Sequence, residues 1–368
     1  MLITVPAETK VAESRVALTP DGARTLVADG HEVWVQQAAG VGSALTDAEY
    51  EAAGARLVGL EEAWSGELVL KVKEPIPAEY PMLRDNTLFT FLHLAANEPL
   101  ARALIGAGTT AYSYDTVQLD DGSLPLLGPM SAVAGRMAPI VGAYHLLSSQ
   151  GGRGVLLAGA PGAPRGRAVV IGAGVAGSHA VEEAVGLGAH VTVLDISRER
   201  LDALAAQYGD AVTVRESTPH AVAASVAEAD LVIGAVLLPG RPAPKVVTRS
   251  MVEAMRPGSV LVDIAIDQGG CFEDSRPTTH ADPVYRVAQS IFYCVANMPG
   301  AVGATATAAL TSATLPFIRE LAHSVGQAET GAALTRGLNV AGRTLRYPAV
   351  ADSFPELPAL IEAEAPLP

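Results

Sequence analysis

The chain has 368 residues, 49% of them hydrophobic and only 17% charged, which excludes both a single small module and a disordered polymer. Asp and Glu outnumber Lys and Arg by 39 to 25, a formal charge of −14, and no basic cluster offers the footprint that a nucleic-acid binder needs. Two cysteines, Cys271 and Cys294, are too few for a disulfide framework or a cysteine metal site, and they suit a reducing cytoplasm.

Aromatic residues are scarce, at 5%, while Gly reaches 36, so the apolar content is mostly Ala, Val and Leu. That composition fits buried parallel strands covered by helices, an α/β protein. The first residues, Met1 to Pro6, lack the length of a signal-peptide core, so secretion is not expected. From there the rhythm is βαβ: LITVP (2–6), a helix opened by Thr19-Pro20 and closed by Gly30, EVWVQ (32–36), and a helix opened by Thr46 and closed by Gly54. LVLKV (68–72), TLFTFL (87–92), a helix near 98–107 and TTAYS (109–113) complete a first α/β unit. Ser131 reads as the cap of a long helix running toward Gln150, with Pro139 as a kink and Gly151-Gly152 as its stop.

A second rhythm follows: AVVIG (168–172), HVTVLD (190–195), VTVR (212–215), LVIGAV (231–236) and SVLVDIAI (259–266), each pair separated by a helix, which predicts a doubly wound sheet. Residues 287–318 carry no Asp, Glu, Lys or Arg, but Asn297, Pro299, Gly300, Gly303 and Pro316 interrupt the run. We read it as strand, buried loop and helix, with no membrane span. A helical pattern near 304–325 and an Ala/Pro/Leu-rich tail are expected to return to the first domain. The expected division is 1–127 with 304–368, and 128–303.

The strongest motif is VVIGAGVAG, where Gly172, Gly174 and Gly177 fall on GxGxxG between a predicted strand and a predicted helix. Glycines there permit a tight turn and close approach of a pyrophosphate to the helix N-terminus, a Rossmann arrangement. Asp195 ends the next strand 23 positions after Gly172. Its carboxylate would accept from the adenosine ribose hydroxyls and repel a 2′-phosphate, which predicts NAD rather than NADP.

Other candidates stand at strand ends. His93 follows an apolar strand, where it can carry a proton or bond a substrate carbonyl; a buried histidine bonded to backbone is the competing reading. Lys71 and Lys73 are two apart and would share one strand face, either as guards of an edge strand or as anion binders. Arg15 follows the first strand and can grip a carboxylate with two parallel bonds, although most arginines are simply exposed. Asp267 follows SVLVDIAI and precedes Gln268-Gly269-Gly270, a strand-end carboxylate on a loop of minimal bulk that a ligand or another backbone can approach closely. Asp263, four residues earlier on the same expected strand, points to the same side, and the competing reading makes one of the two a turn or cap former. Asn297, in VANMP (295–299), could meet a nicotinamide amide. Glu320 and His323 share helical spacing, but two ligands do not make a metal site, and no metal is expected.

Taken together, the strings PAETKVAESRVALTP, GHEVWVQQAAGVGSALTDAEY, LVLKVKEP, LFTFLHLAA, VVIGAGVAG, DIAIDQGGCFE and FYCVANMP resemble those of the alanine dehydrogenase and pyridine nucleotide transhydrogenase family over essentially the whole chain. The resemblance implies a Rossmann NAD-binding domain plus a split substrate domain, each with a mainly parallel sheet. It implies reversible NAD-dependent oxidative deamination of L-alanine to pyruvate and ammonium in a cytoplasmic homohexamer. By the same resemblance Arg15 and Lys73 bind substrate, and His93 and Asp267 are the catalytic pair. Ser131, Val175, Ala176, Asp195, Arg200, Ser217, Val236, Leu237 and Arg276 fall at the family's cofactor contacts. So do Ile264, Ala265, Ile266 and Asp267, together with Val295, Ala296, Asn297 and Met298. The chain departs from the family pattern at Ala132 and at Gly303-Ala304-Thr305. An NAD(H)-binding subunit of a proton-translocating transhydrogenase is the alternative implied by the same family, and Asp267-Gln268-Gly269-Gly270-Cys271 argues against it.

Overall fold

The structure, a computed structural model, describes residues 1–236, 243–324 and 330–360. The backbone gathers into two compact units, Met1–Met130 with the segment from Gly300 onward, and Ser131–Pro299. In the first unit β1 (Leu2–Val5) leads through α1 (Pro20–Ala28), β2 (Glu32–Gln36), α2 (Asp47–Ala52), β3 (Arg56–Val58) and α3 (Leu60–Ala63) to β4 (Leu68–Leu70), β5 (Thr87–Thr90), α4 (Glu98–Ala107) and β6 (Thr110–Ser113). Helix starts are written into the sequence. Thr19 accepts the Gly22 N–H ahead of Pro20, and Thr46 with Glu49 forms a reciprocal capping box on α2. All six strands are parallel in the order β3-β2-β1-β4-β5-β6, so the winding reverses direction between β1 and β4.

The second unit repeats that order. After α5 (Gly128–His145) come β7 (Arg167–Ile171), α6 (Val175–Gly186), β8 (His190–Asp195), α7 (Arg198–Tyr208), β9 (Val212–Glu216), α8 (Pro219–Glu228), β10 (Leu231–Gly234), α9 (Arg249–Glu253), β11 (Val260–Asp263), β12 (Val284–Val287) and β13 (Ser290–Tyr293). The parallel order is β9-β8-β7-β10-β11-β13, with β12 antiparallel at the edge. Strand alternation divides the apolar residues between two cores: Ala168 and Val170 enter one, Val169 and Ile171 the other.

Beyond Gly300 the chain forms α10 (Gly303–Ser324), α11 (Ala332–Gly337), β14 (Leu338–Ala341), β15 (Thr344–Leu345) and α12 (Pro348–Ser353). β14 pairs antiparallel with β6 and, with β15, extends the first sheet to eight strands. Among the described residues, Met298–Ser324 is the one helical stretch long and apolar enough to cross a membrane by length and composition. Its buried residues recur at three- and four-residue spacing, Gly303, Ala306, Thr307, Leu310, Thr314, Ile318 and Leu321, on a face that packs against α1.

Several expected boundaries move, each for a local reason. SVLVDIAI is strand only to Asp263, whose carboxylate accepts the Ala265 N–H and turns the chain into a short 3-10 helix, Ile264–Gln268. LVLKV is strand only to Leu70, because the Val72 N–H goes to the Glu8 side chain instead of a backbone partner on β1. Lys71 and Lys73 therefore do not guard an edge: β4 lies between β1 and β5, and both lysines are buried. Ser131 is not a cap, since α5 begins at Gly128, and Pro139 lies inside that helix. The strands β3, β12, β14 and β15 are pieces of two to four residues, too short to stand out as apolar runs.

Candidate active site

In the second unit the fingerprint loop joins β7 to α6 at the strand ends. Gly172 adopts φ +102°, and a Cβ there would stand 2.6 Å from the Ala235 carbonyl oxygen. A Cβ on Gly177 would fall 1.8 Å from the Gly172 oxygen. Gly174 differs, because its Cβ would face open space, with Arg200 Nη1 nearest at 3.9 Å. Gly174 is also the N-cap of α6 and supplies no side-chain cap, so first-turn N–H groups remain available to an anion. Asp195 ends β8 and is 7% exposed. Its Oδ2 accepts the Ala173 N–H at 2.5 Å and its Oδ1 the Ser197 N–H at 2.7 Å, fixing the fingerprint loop while spare lone pairs remain. These features fit a dinucleotide: two glycines crowded by backbone, one facing open space, and a carboxylate at the next strand end.

The remaining cofactor candidates spread over the carboxyl ends of the same parallel strands. Ser217 follows β9 and donates its N–H to the Asp195 carbonyl at 2.9 Å. Val236 follows β10, while Leu237 lies outside the described residues. Ile264 to Asp267 follow β11, and Val295 to Met298 follow β13. Ala265, Ile266, Val295 and Met298 have buried side chains in the two cores, so they offer mainly backbone to a ligand. Val175 and Arg200 are exposed and Ala176 half-buried. Asn297 holds φ +62°, and its carbonyl oxygen lies 3.3 Å from His280 Nε2. Away from the strand ends, Ser131 is half-buried on α5 and Arg276 sits 4.0 Å over the Tyr285 ring.

Asp267 is exposed, and among the described residues nothing hydrogen-bonds its carboxylate. Asp263 is the structural partner. Wholly buried, it accepts the N–H groups of Ala265, Cys271 and Phe272 and the Ser275 hydroxyl, which ties down both ends of the loop that carries Asp267. Burial pushes its carboxyl above the ordinary range against those bonds.

In the first unit the topology assembles a second set. Arg15, Lys73, His93 and Asp115 lie in the segments after β1, β4, β5 and β6, which are consecutive parallel neighbours in the sheet. The reversal of winding falls between β1 and β4, the place where open α/β sheets take their ligands. Arg15 is 2% exposed; its Nε and Nη2 grip the Glu13 carboxylate at 2.6 and 2.5 Å, and its Nη1 points to Met130 Sδ at 3.0 Å. The Lys73 side chain is buried, and no described residue hydrogen-bonds its ammonium. His93 takes a left-handed backbone, φ +45°, and its ring stacks parallel on Phe91 at 5.8 Å.

Asp115 was not singled out in the sequence, although it stands two residues past TTAYS, at the kind of strand end that drew notice to His93. Its Oδ2 lies 3.9 Å from His93 Nδ1, while Oδ1 accepts the N–H groups of Leu92 and His93 and the Ser113 hydroxyl. Burial raises the Asp115 carboxyl, yet His93 and these bonds together hold it below its ordinary range. Glu320 and His323 turn to other partners, the Gly331 N–H and the Arg319 carbonyl. Among the described residues no three His, Cys, Asp or Glu side chains are grouped to hold a metal ion.

Residues 4–134 match the alanine dehydrogenase/PNT N-terminal domain, and residues 138–348 the C-terminal domain of the same family. A curated alanine dehydrogenase of Mycolicibacterium smegmatis is 53% identical over 95% of this chain and 96% of its own. A solved L-alanine dehydrogenase superposes with a TM-score of 0.93 at 50% identity, covering 97% of this chain and 99% of that one. A solved transhydrogenase from Sinorhizobium meliloti is more distant: TM-score 0.80 and 28% identity over 95% of this chain and 100% of that one. The chain belongs to the alanine dehydrogenase/PNT family.

Proposed function

We propose that this chain catalyses the reversible, NAD-dependent oxidative deamination of L-alanine to pyruvate and ammonium. The observation that carries the reading is the placement of Arg15 and Lys73 on either side of the winding reversal, with His93 on the next strand end, in a chain about half identical to alanine dehydrogenases. The reaction removes a hydride from Cα and a proton from the amine, then adds water to the imine and releases ammonium. When bound, the nicotinamide dinucleotide accepts and returns the hydride.

The chain's own residues supply the rest. Gly174, the α6 N-terminus and Asp195 hold the pyrophosphate and adenosine ribose. Arg15 binds the substrate carboxylate, held ready by Glu13, and Lys73 offers a positive charge to the carbonyl oxygen. His93, oriented by Asp115, exchanges a proton with the reacting oxygen or nitrogen, and Asp267 carries the second proton role. A small oxo acid presents little apolar surface, so two cations and a proton carrier suit it better than a hydrophobic pocket. We assign the unit from Ser131 to Pro299 to the cofactor and the split unit to the substrate. The working form is a homo-oligomer, hexameric by resemblance, in the cytoplasm.

The test is NADH oxidation with pyruvate and ammonium, repeated with each component omitted. Loss of turnover on omission of either supports the reading. NADH oxidation by a second nucleotide without ammonium would favour the transhydrogenase alternative.

A further inference from the structure

Resting on the assignment of Lys73 to substrate, we infer that Glu8 and Lys71 are positioning residues that keep the Lys73 ammonium free of protein counter-ions. Three acidic and three basic side chains lie buried around the ends of β1 and β4: Glu8, Glu13 and Glu79 against Arg15, Lys71 and Lys73. Their pairing is uneven. Glu13 is taken by both prongs of Arg15. Lys71 is shared by two carboxylates, at 3.2 Å from Glu8 Oε2 and 3.1 Å from Glu79 Oε1, and lies 5.4 Å over the Trp64 ring. The adjacent carboxylate, Glu74, is taken by Lys10. Every nearby acid therefore has another cation, and Lys73 is left without one among the described residues.

Glu8 does more than balance charge. Its Oε1 accepts the Val72 N–H at 2.6 Å and its Oε2 the Lys73 N–H at 3.4 Å, so one buried carboxylate from the segment after β1 fixes the backbone that aims Lys73. Glu79 closes the loop from the other side by accepting the Ile76 N–H at 2.9 Å and the Thr9 hydroxyl at 2.8 Å. Burial works against charge on Lys71, but the two carboxylates outweigh it and hold the ammonium protonated, while burial pushes the Glu8 carboxyl up against the pull of Lys71. A buried carboxylate deprived of Lys71 will recruit the nearest free cation, and the backbone bonds to Glu8 make that cation Lys73.

This predicts a rescue that packing damage does not produce. Lys71→Met should raise the pyruvate KM about tenfold, with the NADH KM changed less than about twofold, because Lys73 is captured by Glu8. Adding Glu8→Gln restores the cluster's original net charge and should lower the pyruvate KM again by about threefold. Additive worsening in the double variant, or an equal rise in the NADH KM, would overturn the inference. If Lys71→Met does not fold, as judged by circular dichroism and NADH binding, Glu8→Gln alone decides: a pyruvate KM raised about threefold at constant NADH KM supports it, and two unchanged constants overturn it. Lys73→Ala is the control. An unaltered pyruvate KM there defeats the underlying assignment, whereas a raised one combined with failed rescue defeats only the positioning role.

Discussion

Both oxygens of the Glu13 carboxylate are occupied by one guanidinium, that of Arg15, through Nε at 2.6 Å and Nη2 at 2.5 Å. The pair is almost wholly buried, so the carboxylate sets the plane of the guanidinium before any substrate arrives. An ammonium cannot span two carboxylate oxygens and still present a planar face to a third group. Arg15→Lys is therefore expected to raise the pyruvate KM by about tenfold or more and the NADH KM far less. Glu13→Ala should lower stability by about 3 kcal/mol, because it leaves a buried charge uncompensated. Steady-state kinetics and urea unfolding read the two effects, and equal shifts in both KM values for Arg15→Lys would remove Arg15 from the substrate site.

His93 reaches its position through a strained backbone, and Asp115 accepts the two successive backbone N–H groups, of Leu92 and His93, that lead into it. Because the carboxylate also faces the ring, we expect His93→Ala to lower kcat by about a hundredfold in a folded protein. Asp115→Ala should lower kcat by a smaller factor and also reduce thermal stability, since it frees buried N–H groups. Near-normal kcat in folded, NADH-binding His93→Ala protein would end the proton-carrier role.

Much of this was legible in the sequence, for a definite reason. Strand ends in a wound parallel sheet are marked by the change from an apolar run to a polar residue, which is how Arg15, His93, Asp195 and Asp267 came to notice. The glycine motif was legible because crowding at Gly172 and Gly177 forbids any other residue. Partners of those residues were not legible, since pairing depends on which segments the winding makes neighbours. Glu8 and Lys71 are 63 positions apart and meet only because β1 lies beside β4. The same reason hid the place of β14, whose partner β6 precedes it by more than two hundred residues. The surroundings of the lysine pair were open for the same reason: β4 lies between β1 and β5, and Glu8, from the segment after β1, takes both the Lys71 ammonium and the Val72 N–H.

Stability should weaken on mild acidification, and His145 should contribute. It is 6% exposed at the end of α5, beside Tyr293, and its Nδ1 has no hydrogen-bond partner among the described residues. Burial lowers its pKa below the ordinary 6.5. The unfolded chain then takes up a proton before the folded one does, so the stabilising contribution is complete above about pH 6.5 and is lost as pH falls toward the depressed folded value. His31, also lowered by burial, acts in the same sense. His145→Phe keeps an aromatic ring and removes the titration. Urea midpoints at pH 7.5 and 5.5 should fall less in that variant than in the parent, and equal falls would assign the acid sensitivity elsewhere.

Cofactor choice should reside in Asp195, with a cost that the geometry makes explicit. A 2′-phosphate brought against this carboxylate meets Coulomb repulsion of about 1 kcal/mol at contact in water, and more in a partly dry site. The unmodified protein is therefore expected to prefer NAD to NADP strongly. Asp195 also accepts the Ala173 and Ser197 N–H groups, so its side chain is part of the fingerprint loop as well as its selector. Asp195→Ala should accordingly do two things at once. Removing the negative charge, with the Arg200 guanidinium beside Gly174, should improve kcat/KM for NADP. Freeing the Ala173 N–H should loosen the glycine loop and reduce kcat/KM for NAD, because the loop backbone no longer has a fixed position against the pyrophosphate. The ratio of the two efficiencies should move by at least about tenfold toward NADP, with the NAD loss as the larger part. Measuring kcat/KM for both nucleotides in parent and variant separates these contributions. A parent that uses both equally well, or a variant whose ratio does not change, would place selectivity somewhere other than Asp195.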